Sequence, residues 1–125
     1  MKINIRRNVF ETNSSSVHSL TMVMEEEYDR WQRGEVYSDG GDNFYTPEEV
    51  LEKVKKYYPE INSLEQINEY NEENDTNLLR EMEIYSFEDY WEYYEEECYY
   101  EGFAQTFTTK NGDKVVAFGY SGSNY

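Results

Sequence analysis

Two stretches of this chain hold the residue types that chemistry needs. The first is "RRNVFETNSSSVHSL", residues 6–20. Hydroxyls and backbone amides of Ser14, Ser15 and Ser16, beside Arg6 and Arg7, could cradle a phosphate or another anion. Ser16 and His18 offer a nucleophile and a base, but no Gly-x-Ser-x-Gly elbow surrounds the serine and no acid is placed to orient the imidazole. The plainer alternative is a hydrogen-bonded turn, because Ser and Asn compete for backbone partners. The second stretch is "FEDYWEYYEEECYYEG", residues 87–102, with seven carboxylates, as many aromatic rings and no Lys or Arg. Carboxylates can act as acid and base, but only in converging pairs, and nothing in the sequence says which two converge. His18 and Cys98 are the soft metal ligands and lie far apart, so a zinc site would need carboxylates to complete it. The loop "DGGDN" (39–43) could hold Ca²⁺ or Mg²⁺ loosely, without the ligand spacing of an EF-hand. No metal and no cofactor is assigned, and a binding protein is expected rather than an enzyme.

Composition narrows the partners. The chain has 125 residues, the size of one ordinary domain, and eleven Lys and Arg face twenty-seven Asp and Glu, a net charge of −16. That balance argues against direct nucleic-acid binding, which needs a basic surface, and against an anionic membrane. A strongly basic protein surface remains attractive. Aromatics make up 18% of the chain, far too many for a disordered acidic segment, so a folded domain is expected. The single Cys excludes an internal disulfide and suits a reducing compartment. The first residues, "MKINIRRNVF", lack the apolar core of a signal peptide, and no apolar run could span a bilayer. The cytoplasm is the expected compartment.

The elements that must position these residues are legible in part. "KINIRR" alternates as a half-buried strand, and "HSLTMVM" (18–24) reads as a second strand with Leu20, Met22 and Met24 on one face. "EEEYDRWQR" predicts a short helix stopped by Gly34. "TPEEVLEKVKKYYP" carries a capping box of Thr46 and Glu49, Pro47 at the first helical position and Pro59 at the end, with Val50, Leu51, Val54, Tyr57 and Tyr58 on one side. Ser63 and Gln66 open another helix, "TNLLREM" suggests a further turn, and Ser86 caps the acidic stretch. Asn111-Gly112 predicts a two-residue type I′ hairpin. Pairing Lys110 with Asp113 then puts Phe107 opposite Val116, Gln105 opposite Phe118 and Phe103 opposite Tyr120, all on one side. The expected class is α+β: a small, mostly antiparallel sheet of N-terminal strands plus the C-terminal hairpin, with several helices on one face, over residues 1–125 as a single domain.

On a helical wheel of residues 87–98, Phe87, Tyr90, Trp91, Tyr94 and Cys98 share one arc, and Glu88, Asp89, Glu92, Glu95 and Glu96 lie opposite. Rings should pack down and carboxylates stand out as a ridge. A plain solvated helix face mixes charge signs. Here Glu88–Glu92 and Glu92–Glu96 are like-charge pairs at i,i+4, each costing a few tenths of a kcal/mol. Six acids between 88 and 97 span about 15 Å of helix, where B-DNA would carry about nine charges. The ridge therefore approaches a duplex in field strength, not in atomic pattern. Glu97 is the sixth of these acids, and Glu60, Glu65, Glu69, Glu72, Glu73, Asp75, Glu81 and Glu83 could extend the ridge. Tyr93, Tyr99 and Tyr100, read as outward, could stand in for bases or form a homodimer seam.

Residues 6–20, through Arg6, Arg7, Phe10–Ser16 and His18–Leu20, resemble an N-terminal element of small proteins of Gram-positive bacteria and their phages. The resemblance covers about 15 residues and brings no catalytic role. It implies a phage or mobile-element origin, which suits a small acidic inhibitor, and by analogy an anti-CRISPR protein. The expected partner is then a basic nucleic-acid-binding protein of a host defence system, specifically a type II CRISPR effector nuclease with its positive channel. The alternatives are a ligand- or phosphate-binding domain or enzyme using the Ser-rich loop and His18, or an acidic interaction subunit.

Overall fold

A computed structural model describes residues 17–122, with side chains from Ser19 onward. The predicted strand in "KINIRR" and the Arg6, Arg7 and Ser14–Ser16 cluster lie outside these residues. The chain runs β1 (Val17–Met24), α1 (Glu25–Gln32), β2 (Tyr37–Ser38), β3 (Phe44–Tyr45), α2 (Pro47–Tyr57), α3 (Leu64–Asn74), α4 (Leu78–Glu81) and α5 (Phe87–Trp91). A π-helical turn (Glu92–Glu97) continues α5, and the hairpin β4 (Glu101–Thr108) and β5 (Lys114–Ser121) follows. The main sheet is antiparallel in the order β1-β5-β4, and β2 and β3 pair separately. This is the expected small α+β fold.

The hairpin corrects the predicted register. Phe107 pairs with Val115, Gln105 with Ala117 and Phe103 with Gly119, one residue away from the type I′ expectation. The cause is the turn. Gly112 adopts φ +89 while Asn111 stays at negative φ, and the Gly112 N–H donates to the Thr109 carbonyl at 3.0 Å. That is a type I turn closed by a left-handed glycine, with a three-residue loop instead of two. A one-residue slip moves every side chain to the opposite face. Val116 and Phe118 therefore leave the side of Phe103 and Phe107 and face the helices with Val23 and Ala104. On the far face Leu20, Met22 and Met24 share one side of β1, as predicted, and all three stand exposed.

Local signals set most helices. Thr46 and Glu49 complete their capping box around Pro47. Ser63, Asn77 and Ser86 each accept from the N–H three residues on, satisfying donors that a helix start leaves open. Gly34, at φ +83, ends α1. Two apolar clusters result. One joins α1, α5 and the sheet through Tyr28, Trp31, Phe87, Tyr90, Trp91 and Phe118. The other joins α2, α3 and α4 through Val50, Val54, Ile67 and Leu78. Tyr57, predicted to share the buried side of α2, is 68% exposed, because Val50 and Val54 already fill the contact.

At Gly119 the two main strands approach so closely that an added Cβ would lie 2.0 Å from the Ser19 carbonyl oxygen. Backbone cannot yield as a side chain can, so Gly119→Ala is expected to cost about 2–3 kcal/mol by overpacking. A urea titration reads this. A midpoint unchanged from the parent would contradict it.

Candidate protein-docking surface

The acidic stretch begins as expected and then departs from the wheel. The Ser86 hydroxyl accepts from the Asp89 N–H at 3.1 Å, and α5 buries Phe87, Tyr90 and Trp91. From Glu92 the backbone widens into a π turn, with the Cys98 N–H donating to the Tyr93 carbonyl at 2.9 Å. Backbone hydrogen bonds then run i→i+5 rather than i→i+4, which rotates the following side chains off the α-helical wheel. The wheel's inner arc breaks up accordingly, and Cys98 is only half-buried. Tyr93, read as outward, is half-buried and stacks on Tyr85 at 6.3 Å. Tyr94 and Tyr100 both stack on Tyr120, at 4.0 and 5.0 Å. Tyr93 and Tyr100 are therefore committed within the domain instead of standing outward. Tyr99, at φ +62, is the outward ring, 70% exposed.

The ridge also has a counter-ion that linear reading missed. Arg80 on α4 reaches Glu97 at 2.5 Å, Asp89 at 3.6 Å and Glu92 at 3.8 Å, and its guanidinium lies over the Tyr93 ring at 5.2 Å. Its Nε is buried with no hydrogen-bond partner among the described residues. The guanidinium thus serves the carboxylates through its two terminal nitrogens. Glu95 turns inward and accepts from the Gly102 N–H at 3.1 Å, joining the π turn to β4. So the ridge is partly neutralised by its own chain. Glu88 and Glu96 remain exposed with no ion pair among the described residues. One signal for this bridge was present in the sequence: Arg80 is the last base before the acidic stretch.

Arg80→Ala would leave Asp89, Glu92 and Glu97 repelling one another and uncover the Tyr93 ring. The side chain is 19% exposed, between the surface and buried cases, so a loss of about 1–2 kcal/mol is expected. Thermal melts should show the deficit shrinking as salt rises, because screening weakens the repulsion. A deficit independent of salt would assign Arg80 to packing alone.

The wider acidic surface is where charge stays uncompensated. Glu60, Glu65, Glu69, Glu72, Glu73, Asp75, Glu81 and Glu83 are all exposed, and none forms an ion pair among the described residues. Four of the eight lie on α3, which packs against α4 and so neighbours the Arg80 bridge. Among the described residues no group of three or more His, Cys, Asp or Glu is placed to hold a metal. In "DGGDN" the Asp39 carboxylate is already taken, accepting from the Gly41 N–H at 2.8 Å and the Asn43 amide at 3.0 Å. No described helix is long and apolar enough to cross a membrane.

Behind this surface lies a tyrosine cluster whose hydroxyls ionise reluctantly. Burial first, then hydrogen bonding with Tyr120 and Tyr85, pushes Tyr94 far above the ordinary 10.0, and burial does the same to Tyr90. The folded state holds these protons more tightly than the unfolded chain. Their contribution to stability is complete below the unfolded value and is lost as pH climbs beyond about 10. Alkaline titration by tyrosinate absorbance should show these rings ionising together with unfolding. Gradual ionisation of all the tyrosines with circular dichroism unchanged would contradict it.

No family model, no curated protein and no solved structure matches this chain.

Proposed function

We propose that the protein is an inhibitor of phage or mobile-element origin that acts in the host cytoplasm. Its acidic surface occupies the basic groove in which a host defence enzyme holds nucleic acid, and the specific target is a type II CRISPR effector nuclease. The observation that carries this reading is the set of exposed carboxylates along α3 and around α4, with Glu88 and Glu96 of the ridge, that form no ion pair among the described residues. Self-repulsion on that scale opposes folding and serves no packing purpose. A cationic groove would relieve it, and the same field would speed encounter. The docking surface is broader than the ridge first suggested: the Arg80-bridged acids contribute one part, and α3 contributes carboxylates with no ion pair among the described residues. Tyr99 offers one ring for an Arg of the partner.

The test is a competition assay. A guide-loaded type II effector cleaves its target duplex with and without the protein present before the duplex is added. Inhibition is expected when the protein comes first, to weaken when the duplex comes first, and to decline with salt. Cleavage at the control rate under all these conditions removes this target. A pull-down from host lysate at low and high salt then asks whether another basic protein takes its place.

A further inference from the structure

Opposite the acidic surface in chemistry is a cavity of about 380 Å³ between α2 and the segment that follows α4. Lys53 and Lys56, one turn apart on α2, both line it. Neither forms an ion pair among the described residues, in a chain with more than twice as many acids as bases. Glu49, one turn before Lys53, is occupied in capping the Thr46 N–H at 2.8 Å. Lys53 is held in place over the Tyr45 ring, with Nζ 4.5 Å from its centroid. Met82 and the buried Ile84 supply an apolar floor, and the exposed ring of Tyr57 stands at the rim.

Glu83 completes the lining with an unusual backbone. It takes φ +60 just past the end of α4, a left-handed position that glycine usually fills. An exposed glutamate thus lines the cavity at some conformational cost. Asp39, the other acid of the lining, is already satisfied within its own turn. The lining thus combines two cations, an exposed flat ring and an acceptor-only side chain.

We propose that this cavity binds a guanine nucleoside monophosphate. Lys53 and Lys56 receive the phosphate as paired point charges. Tyr57 stacks on the base. The two oxygens of Glu83 accept from the adjacent ring N–H and amino group of guanine, both donors, where adenine would oppose a ring-nitrogen lone pair to one of them. Volume and charge select a mononucleotide. The cavity lies near the lower end of the roughly 300–1,000 Å³ of ligand pockets. A polynucleotide would also bring a row of phosphates against a chain of net charge −16. This inference shares only Glu83 with the docking reading, which otherwise uses the acids of α3 and the ridge.

Calorimetric titration of the full chain tests it with four probes: guanosine monophosphate, adenosine monophosphate, guanosine and inorganic phosphate. Guanosine monophosphate should bind at least about tenfold more tightly than each of the others. Lys53→Ala with Lys56→Ala should reduce its affinity to that of guanosine, and Glu83→Gln should erase the preference for guanine over adenine. Both lysines are exposed, so circular dichroism should be unchanged. If the double variant does not fold, Lys56→Glu alone serves the same comparison. Absence of binding, equal affinity for the nucleotide and inorganic phosphate, or full affinity in the lysine variants overturns the proposal.

Discussion

Trp31→Ala is expected to leave the domain close to its unfolding threshold. Trp31 is fully buried and touches five rings, with centroid distances of 5.8 Å to Tyr28 and Phe44, 5.0 Å to Phe87, and 5.3 Å to Tyr90 and Phe118. Its indole N–H donates to the Tyr85 carbonyl at 3.1 Å. One side chain thereby joins α1, β3, α5 and β5. Truncation costs about 3–5 kcal/mol through lost transfer and cavity terms, while the Tyr85 carbonyl keeps its bond from the Ser38 N–H at 2.8 Å. Small domains hold only about 5–15 kcal/mol in total. Trp31→Phe keeps much of the ring packing and loses the hydrogen bond, so it should fall between parent and Ala. Urea titrations rank the three. A Trp31→Ala midpoint within about 0.5 kcal/mol of the parent, the range of ordinary surface changes, would mean that the core does not converge on this ring.

Reversing Glu65, Glu69, Glu72, Glu88 and Glu96 to Lys should abolish inhibition while the domain stays folded. All five are exposed without an ion pair among the described residues, and Glu65, Glu69 and Glu72 follow one side of α3. Surface substitutions of this kind usually change stability by less than about 0.5 kcal/mol each. These also relieve like-charge repulsion, so melting temperature should hold or rise. Electrostatic steering contributes about 10–10³-fold to association rates, and reversal turns that attraction into repulsion. Association kinetics against the effector at several salt concentrations separate two outcomes. Loss of both fast association and its salt dependence places the contact here. Undiminished inhibition by the reversed variant means that the acidic surface of α3 and the ridge is not where the partner binds.

The sequence by itself determined the features that depend on near neighbours along the chain. The capping box at Thr46 and Glu49, the caps at Ser63 and Ser86, the stop at Gly34 and the existence of the C-terminal hairpin rest on contacts within about four residues. The α+β class followed from those elements and their order. The net charge is a sum over residues and needs no structure. Tertiary structure decided the rest. Whether Asn111-Gly112 made a two- or three-residue loop depended on how β5 seats Val116 and Phe118 against the helices and pairs with β1, and that choice set the face of every hairpin residue. The π turn at Glu92–Glu97 came from fitting Tyr93, Tyr94 and Tyr100 around Tyr85 and Tyr120, rings distant in sequence. Arg80 met Asp89, Glu92 and Glu97 because α4 folds back onto α5, so a ridge without a base in its own segment gained one across space. Composition counts charges, but only the packing of helices decides which charges end up within reach of one another.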